Sequence, residues 1–156
     1  MNPDFEDFLR ALTEVGARFL VVGAHALAVH GVPRATGDMD IWLETTVENA
    51  DRVWRALAIF GAPAENLGIT REDLVKPDMV LQVGLPPRRI DLLTGLSGLT
   101  FQDAWKDRVT QITGSVSVDF LGRSSLLLNK RATGRLKDLA DIEALEERPP
   151  DSGSRS

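Results

Sequence analysis

Two acidic residues separated by one methionine, Asp38-Met39-Asp40, stand immediately before the apolar run Ile41-Trp42-Leu43. In an extended strand, residues two apart share a face. The two carboxylates therefore lie side by side, while Met39 and Ile41 turn toward the core. Like charges that close repel, and one of the pair takes up a proton more readily unless a cation intervenes. A divalent cation is the economical remedy. Hard Mg²⁺ prefers oxygen ligands, one or two carboxylates completed by water and phosphate oxygens. The same pattern also occurs as a solvated turn closed by an Asx cap, so the pair alone leaves both readings open.

A third acid lies inside the apolar segment Arg88-Arg89-Ile90-Asp91-Leu92-Leu93. Buried aspartate is rare without a partner. If this strand runs beside residues 39–43, Asp91 joins the first two acids on one face. Three carboxylates around one or two cations suit phosphoryl and nucleotidyl transfer: one acid takes the proton of the attacking hydroxyl while the cations steady the attacking and leaving oxygens. The competing reading is an ion pair of Asp91 with Arg88 or Arg89.

Upstream, Val21-Val22-Gly23-Ala24-His25-Ala26 places a glycine where a strand gives way to a helix. Backbone N–H groups of Gly23 and Ala24 at such a turn are ready donors to phosphate oxygens, although a glycine there also serves as a plain tight-turn residue. His25 opens this helix, either near a phosphate or as a capping or solvent-facing residue. His25 and His30 are five apart, not the i, i+4 of a helical metal pair. Downstream, Lys130, Arg131, Arg135 and Lys137 form a basic cluster suited to a triphosphate or a nucleic-acid acceptor, or equally to a solvated helix face. Asp138 and Asp141 share one helix face and are expected to hold Lys137 or Arg135 in place.

The elements that must position these groups follow from hydrophobic spacing. Asp4–Val15 carries Phe5, Phe8, Leu9, Leu12 and Val15 at helical intervals. Phe19–Val22 reads as a buried strand, Ala24–His30 as a short helix and Met39–Leu43 as a second strand. Thr46 opens an amphipathic helix through Phe60. Residues 61–78 are loop-rich, with one short helix started by Thr70. Strands at 79–83 and 88–93 are joined by the Gly84-Leu85-Pro86-Pro87 turn. A short helix follows at 101–107, then a hairpin of strands at 109–112 and 116–121 around Gly114. Helices at 123–132 and 136–146, separated by Gly134, close the chain. Trp42, Trp54 and Trp105 fall on apolar stripes and are read as core.

This order predicts an α+β class with a mixed central sheet and helices packed mainly on one face, as a single domain over 1–147. The polar RPPDSGSRS tail, 148–156, is expected to be disordered. A chain of 156 residues with 43% hydrophobic and 26% charged residues is ordinary for a globular domain. Its net charge of −5 argues against a generic nucleic-acid coat. The absence of cysteine excludes disulfides, thiolate metal sites and cysteine nucleophiles. An acidic amphipathic start and short apolar runs predict neither a signal peptide nor a membrane span, hence a cytoplasmic protein.

Taken together, a strand ending in Gly-small, a short helix, Asp-x-Asp on the next strand and a lone Asp on a later one resemble the nucleotidyltransferase superfamily that includes DNA polymerase β. More narrowly, LVVGAHALAVHGVPRATGDMDIWL resembles abortive-infection-type and related minimal prokaryotic nucleotidyltransferases, in which a glycine turn leads to Arg-x-Thr-x-Asp-x-Asp. NKRATGRLKDLADIEAL is similar to that group's closing helical motif. The likeness spans nearly the whole chain except the tail. It implies that Gly23 and Ala24 form the phosphate-cradling turn, and that Asp38, Asp40 and Asp91 bind metal and carry catalysis. Arg34 and Thr36 would lie near the triphosphate, together with Lys130. It further implies two Mg²⁺ ions and a nucleoside triphosphate such as ATP. A nucleoside monophosphate would pass to a hydroxyl or phosphate on RNA, protein or a small molecule. Ala24 departs from the pattern, which usually has Gly or Ser there. A methyl group restricts positive φ, Ala offers no hydroxyl to a phosphate, and the chain is small, with little room for an acceptor domain; the competing reading is a non-catalytic binding module on the same fold, such as one half of a toxin–antitoxin pair docking a helical partner.

Overall fold

The structure is a computed structural model that describes residues 2–35, 37–85 and 88–147. Thr36, the Pro86-Pro87 part of the expected turn and the expected disordered tail lie outside the described residues. The strands are β1 (Phe19–Val22), β2 (Met39–Leu43), β3 (Val80–Val83), β4 (Ile90–Leu93), β5 (Val109–Thr113) and β6 (Val116–Phe120). The helices are α1 (Pro3–Glu14), α2 (Gly23–Val29), α3 (Val47–Phe60), α4 (Phe101–Lys106), α5 (Arg123–Thr133) and α6 (Leu136–Glu146).

The strands form one mixed sheet in the order β3-β4-β2-β1-β6-β5. β1 pairs antiparallel with β2 and parallel with β6, while β2 and β4 run parallel. β3 and β5 close the two edges through antiparallel pairs, the second being the hairpin expected at Gly114. Capping marks the helix starts. Thr46 Oγ1 accepts from Asn49 N–H at 3.1 Å at the start of α3, and Asn2 Oδ1 accepts from Asp4 N–H at 2.7 Å at the start of α1.

The α+β class and the mixed sheet are as the pattern predicts; most of the helices share one face, and a second layer covers the other. α1 and α3 pack on Phe19, Val21, Met39, Ile41 and Leu43. On the other face α2, α4, α5 and α6 cover Leu20, Val22 and Trp42. The reason lies in β1, whose four residues are all apolar and all buried, so each side of the strand needs a covering layer. The 61–78 segment holds two 3₁₀ turns, Ala64–Leu67 and Glu72–Leu74, rather than one helix. Thr70 and Asp73 do cap each other's backbone N–H groups, but too few residues follow to extend the turn. Trp42 is core, whereas Trp54 and Trp105 are half-buried and carry the guanidinium groups of Arg71 and of Arg18 and Arg108.

A buried asparagine fastens the centre of this arrangement. Asn49 accepts from Arg18 N–H at 2.7 Å and donates to the carbonyls of Arg18 at 2.9 Å and Glu44 at 2.8 Å. It thereby ties the start of α3 to the chain entering β1 and leaving β2, the two strands that set the position of Asp40.

Candidate active site

The register of the sheet brings the three acids together. In the parallel pair β2–β4, Asp40 stands directly opposite Asp91. Side-chain alternation sends Met39 and Ile41 into the α1–α3 layer and leaves both carboxylates on the other face. Asp38 lies just before β2, where its Oδ1 accepts from the backbone N–H of Arg89 at 3.1 Å. The expected alternative, an ion pair of Asp91, is present as well. Arg89 Nε donates to Asp91 Oδ1 at 2.8 Å, and Nη2 lies 3.3 Å from Asp91 Oδ2 and 3.4 Å from Asp38 Oδ2. Convergence and ion pairing are thus one structure. Of the two arginines expected as partners, it is Arg89, two residues from Asp91, that makes the pair.

This cluster keeps surplus negative charge. Burial, then the charges of Asp91 and Asp38, push the Asp40 carboxyl above its ordinary value against the opposing pull of Arg89 and Lys130. The donor set is three carboxylates and no softer atom, which suits a hard divalent cation. Among the described residues no three His, Cys, Asp or Glu side chains already form a metal cage. Arg89 instead engages oxygens of Asp38 and Asp91.

Gly23 closes the cluster from β1, whose last residue, Val22, pairs with Asp40. Its φ is +66°, and a Cβ placed there would lie 2.5 Å from Asp40 Oδ2. Only glycine fits, for both reasons. The positive φ falls on Gly23, whereas Ala24 is already inside α2. The methyl of Ala24 therefore creates no strain, and its N–H remains a donor. Gly23→Ala is expected to cost about 1–2 kcal/mol of stability and to displace Asp40. Denaturant melts measure the cost; an unchanged stability would show that the turn tolerates a side chain at residue 23.

The facing wall is basic. A cleft of about 630 Å³ runs between the acids and the α5–α6 pair. Among the described residues that line it, Arg34, Arg89, Lys130, Arg135 and Lys137 are basic, and Asp38, Asp40, Asp91 and Asp141 are acidic. Lys130 is buried and reaches Asp141 Oδ2 at 3.1 Å and Asp138 Oδ1 at 3.5 Å. Arg34 Nε donates to Asp141 Oδ1 at 3.1 Å. Asp138, fully buried, accepts from Arg135 Nε at 2.7 Å, Thr133 Oγ1 at 2.6 Å and Arg135 N–H at 3.1 Å. Those bonds, first the one from the Arg135 side chain, hold its carboxyl far below the usual range. Asp138 and Asp141 are thus the anchors of the basic wall; of the two groups expected there Arg135 is the one held, and Lys130 and Arg34 join it.

His25 is a correction. It does not line the cleft; its ring meets Phe5 edge-on, with centroids 5.8 Å apart. The helical rotation of about 100° per residue that leaves Gly23 and Ala24 at the cleft turns the next side chain toward α1. Burial lowers the pKa of its imidazole, as befits a packing role. His30 makes a 2.8 Å hydrogen bond from Nε2 to the Leu121 carbonyl, a tie between α2 and the end of β6.

No protein-family model matches the chain, and no curated protein matches it significantly. Solved structures do. A Thermotoga maritima protein, TM1012, provisionally assigned as a nucleotidyltransferase, superposes with a TM-score of 0.51 at 16% identity over 94% of this chain and 93% of its own. The lincosamide antibiotic adenylyltransferase LnuA, in its lincomycin-bound structure, gives a TM-score of 0.55 at 12% identity over 96% of this chain and 98% of its own. At such identities the likeness is one of fold, and the chain has the nucleotidyltransferase fold.

Proposed function

We propose that this protein, built on the nucleotidyltransferase fold, moves a nucleoside monophosphate from a nucleoside triphosphate to a hydroxyl or phosphate acceptor with the help of Mg²⁺. The observation that carries the reading is the β2–β4 register, which sets Asp40 beside Asp91 with Asp38 one step away. Acid on one wall and base on the other is the charge arrangement that a metal–polyphosphate needs.

Asp38, Asp40 and Asp91 would hold the divalent cations, which supply charge neutralisation at the attacking and leaving oxygens. The chain's own groups do the rest. Lys130 and Arg34, fixed by Asp141, and Arg135, fixed by Asp138, bind the triphosphate, and the Gly23 and Ala24 N–H groups face its oxygens. The acceptor oxygen attacks the α-phosphorus and its proton passes to a carboxylate of the triad. The bond between the α-phosphorus and its bridging oxygen breaks, and pyrophosphate leaves. Thr36, implied as a further contact to the triphosphate, keeps that assignment as part of this proposal. The non-catalytic alternative rests on Ala24 and on the small size of the chain; with Ala24 helical, its backbone N–H donor is kept without strain, which supports the enzyme reading.

Incubation with each α-labelled nucleoside triphosphate, Mg²⁺ and cell extract tests the reading. The expected result is label transferred to one RNA, protein or small-molecule fraction with equimolar pyrophosphate, and neither with Asp91→Asn. Nucleotide binding without transfer from any of the four would overturn it.

A further inference from the structure

The position of Arg89 leads past the general reading of the site. We propose that Arg89 is the resident counter-cation of the carboxylate cluster: its guanidinium engages the Asp38 and Asp91 oxygens that a divalent cation would take, so the two compete for them. This inference rests on the proposed metal-binding role of the triad and adds a specific obstacle to it.

Three carboxylates gathered on one sheet face repel, and a chain without metal needs another source of positive charge there. Arg89 supplies it with a fork rather than a point charge, making two contacts to Asp91 and one to Asp38. Asp91 is only 13% exposed and the Arg89 side chain 26%, so these pairs are partly shielded from water. Among the described residues, no basic side chain other than Arg89 has an ion pair to Asp91. Lys130 and Arg34 are committed to Asp138 and Asp141 on the opposite wall.

The backbone of Arg89 is fixed separately from its side chain. Its N–H donates to Asp38 Oδ1 at 3.1 Å and its carbonyl accepts from Met39 N–H at 3.0 Å. The guanidinium can therefore leave without disturbing the β2–β4 pairing that places the acids. Once released it stays in a cleft shared with Arg34 and Lys130, where an incoming polyphosphate is a new partner. Metal and nucleotide would then favour each other's entry, because each removes a cost that the other meets.

The test is Mn²⁺ binding to the full chain without nucleotide, followed by the paramagnetic resonance of free Mn²⁺. Arg89→Gln is expected to bind Mn²⁺ about tenfold more tightly than the parent, the scale set by two partly exposed ion pairs that no longer oppose the ligand. Loss of a merely structural residue would weaken binding instead, so the sign is diagnostic. Arg88→Gln removes the same charge from the adjacent, exposed position and should change the affinity less than twofold or so. Arg89→Lys, which keeps the charge without the fork, should fall between. As a second measurement, Mn²⁺ should raise the melting temperature of Arg89→Gln more than that of the parent. Equal affinity in the parent and Arg89→Gln, or a gain matched by Arg88→Gln, overturns the competition while leaving the metal site standing. Absence of Mn²⁺ binding in all of these proteins overturns the metal reading itself.

Discussion

Asp40→Asn is expected to abolish the proposed nucleotidyl transfer, by at least about 10³-fold, while raising the melting temperature of the metal-free protein at neutral pH. Both effects come from one carboxylate. The substitution keeps shape and removes charge, so the proposed ligand to the cation is lost but the packing against Gly23 is not. Stability rises because the folded state holds Asp40 between burial and two like charges, which lift its pKa. The sign follows by linkage. The folded protein binds this proton more tightly than the unfolded chain, so its stability falls as pH rises above the unfolded value near 4. The penalty is complete once pH exceeds the folded value. The advantage of Asp40→Asn should therefore grow as pH rises from about 4 and then level off. Asp91→Asn should lose as much activity, but it also gives up the Arg89 ion pair and should gain little stability. Scanning calorimetry across pH, beside turnover assays, measures this. An Asp40→Asn protein that melts lower than the parent at pH 7 would show that the acids are not in conflict.

The second large effect belongs to the basic wall. Asp138→Asn is expected to cost about 3 kcal/mol in urea unfolding, the scale of removing one charge from a buried, hydrogen-bonded group of ions. Asp138 is fully buried and joins Lys130, Thr133 and Arg135 across the Gly134 turn. Its loss leaves Lys130 with Asp141 alone. Because this carboxyl is held below its ordinary value, its contribution is fully present above pH 4 or so and fades as pH falls toward the folded value. The gap between parent and variant should accordingly narrow in acid. The proposed transfer should drop about tenfold through weaker nucleotide binding, since Asp138 holds Lys130 and Arg135 but does not line the cleft. A cost under about 0.5 kcal/mol would mean that Thr133, Lys130 and Arg135 are held by other groups.

Much of this site could be read from residue order, because its parts are local. Alternation around Met39 and Ile41 placed Asp38 and Asp40 on the face opposite the α1–α3 core. A lone acid among Ile90, Leu92 and Leu93 marked Asp91 as unusual. Their meeting could not be read that way, since it depends on β2 and β4 being parallel neighbours, a fact of topology that no short pattern encodes. The same limit explains Asp141, whose bond to Arg34 spans 107 positions. His25 failed for another reason. In a helix whose first residue has positive φ, the phase of the next side chains is set by the turn and not by periodicity. Ala24 shows the converse: its departure from the glycine or serine pattern looked costly only while the residue bearing positive φ was unknown. The second layer over the sheet has its cause in Phe19-Leu20-Val21-Val22, which has no polar face to leave open, although the hydrophobic pattern predicts helices mainly on one face.

The most direct test is calorimetric titration of a non-hydrolysable nucleoside triphosphate analogue into the parent and Asp91→Asn, each with and without Mg²⁺. Binding to the parent should tighten sharply with Mg²⁺, and that gain should vanish in the variant. Binding that ignores Mg²⁺, or that keeps its Mg²⁺ dependence after Asp91 is neutralised, would contradict a cation site shared by residues 38, 40 and 91.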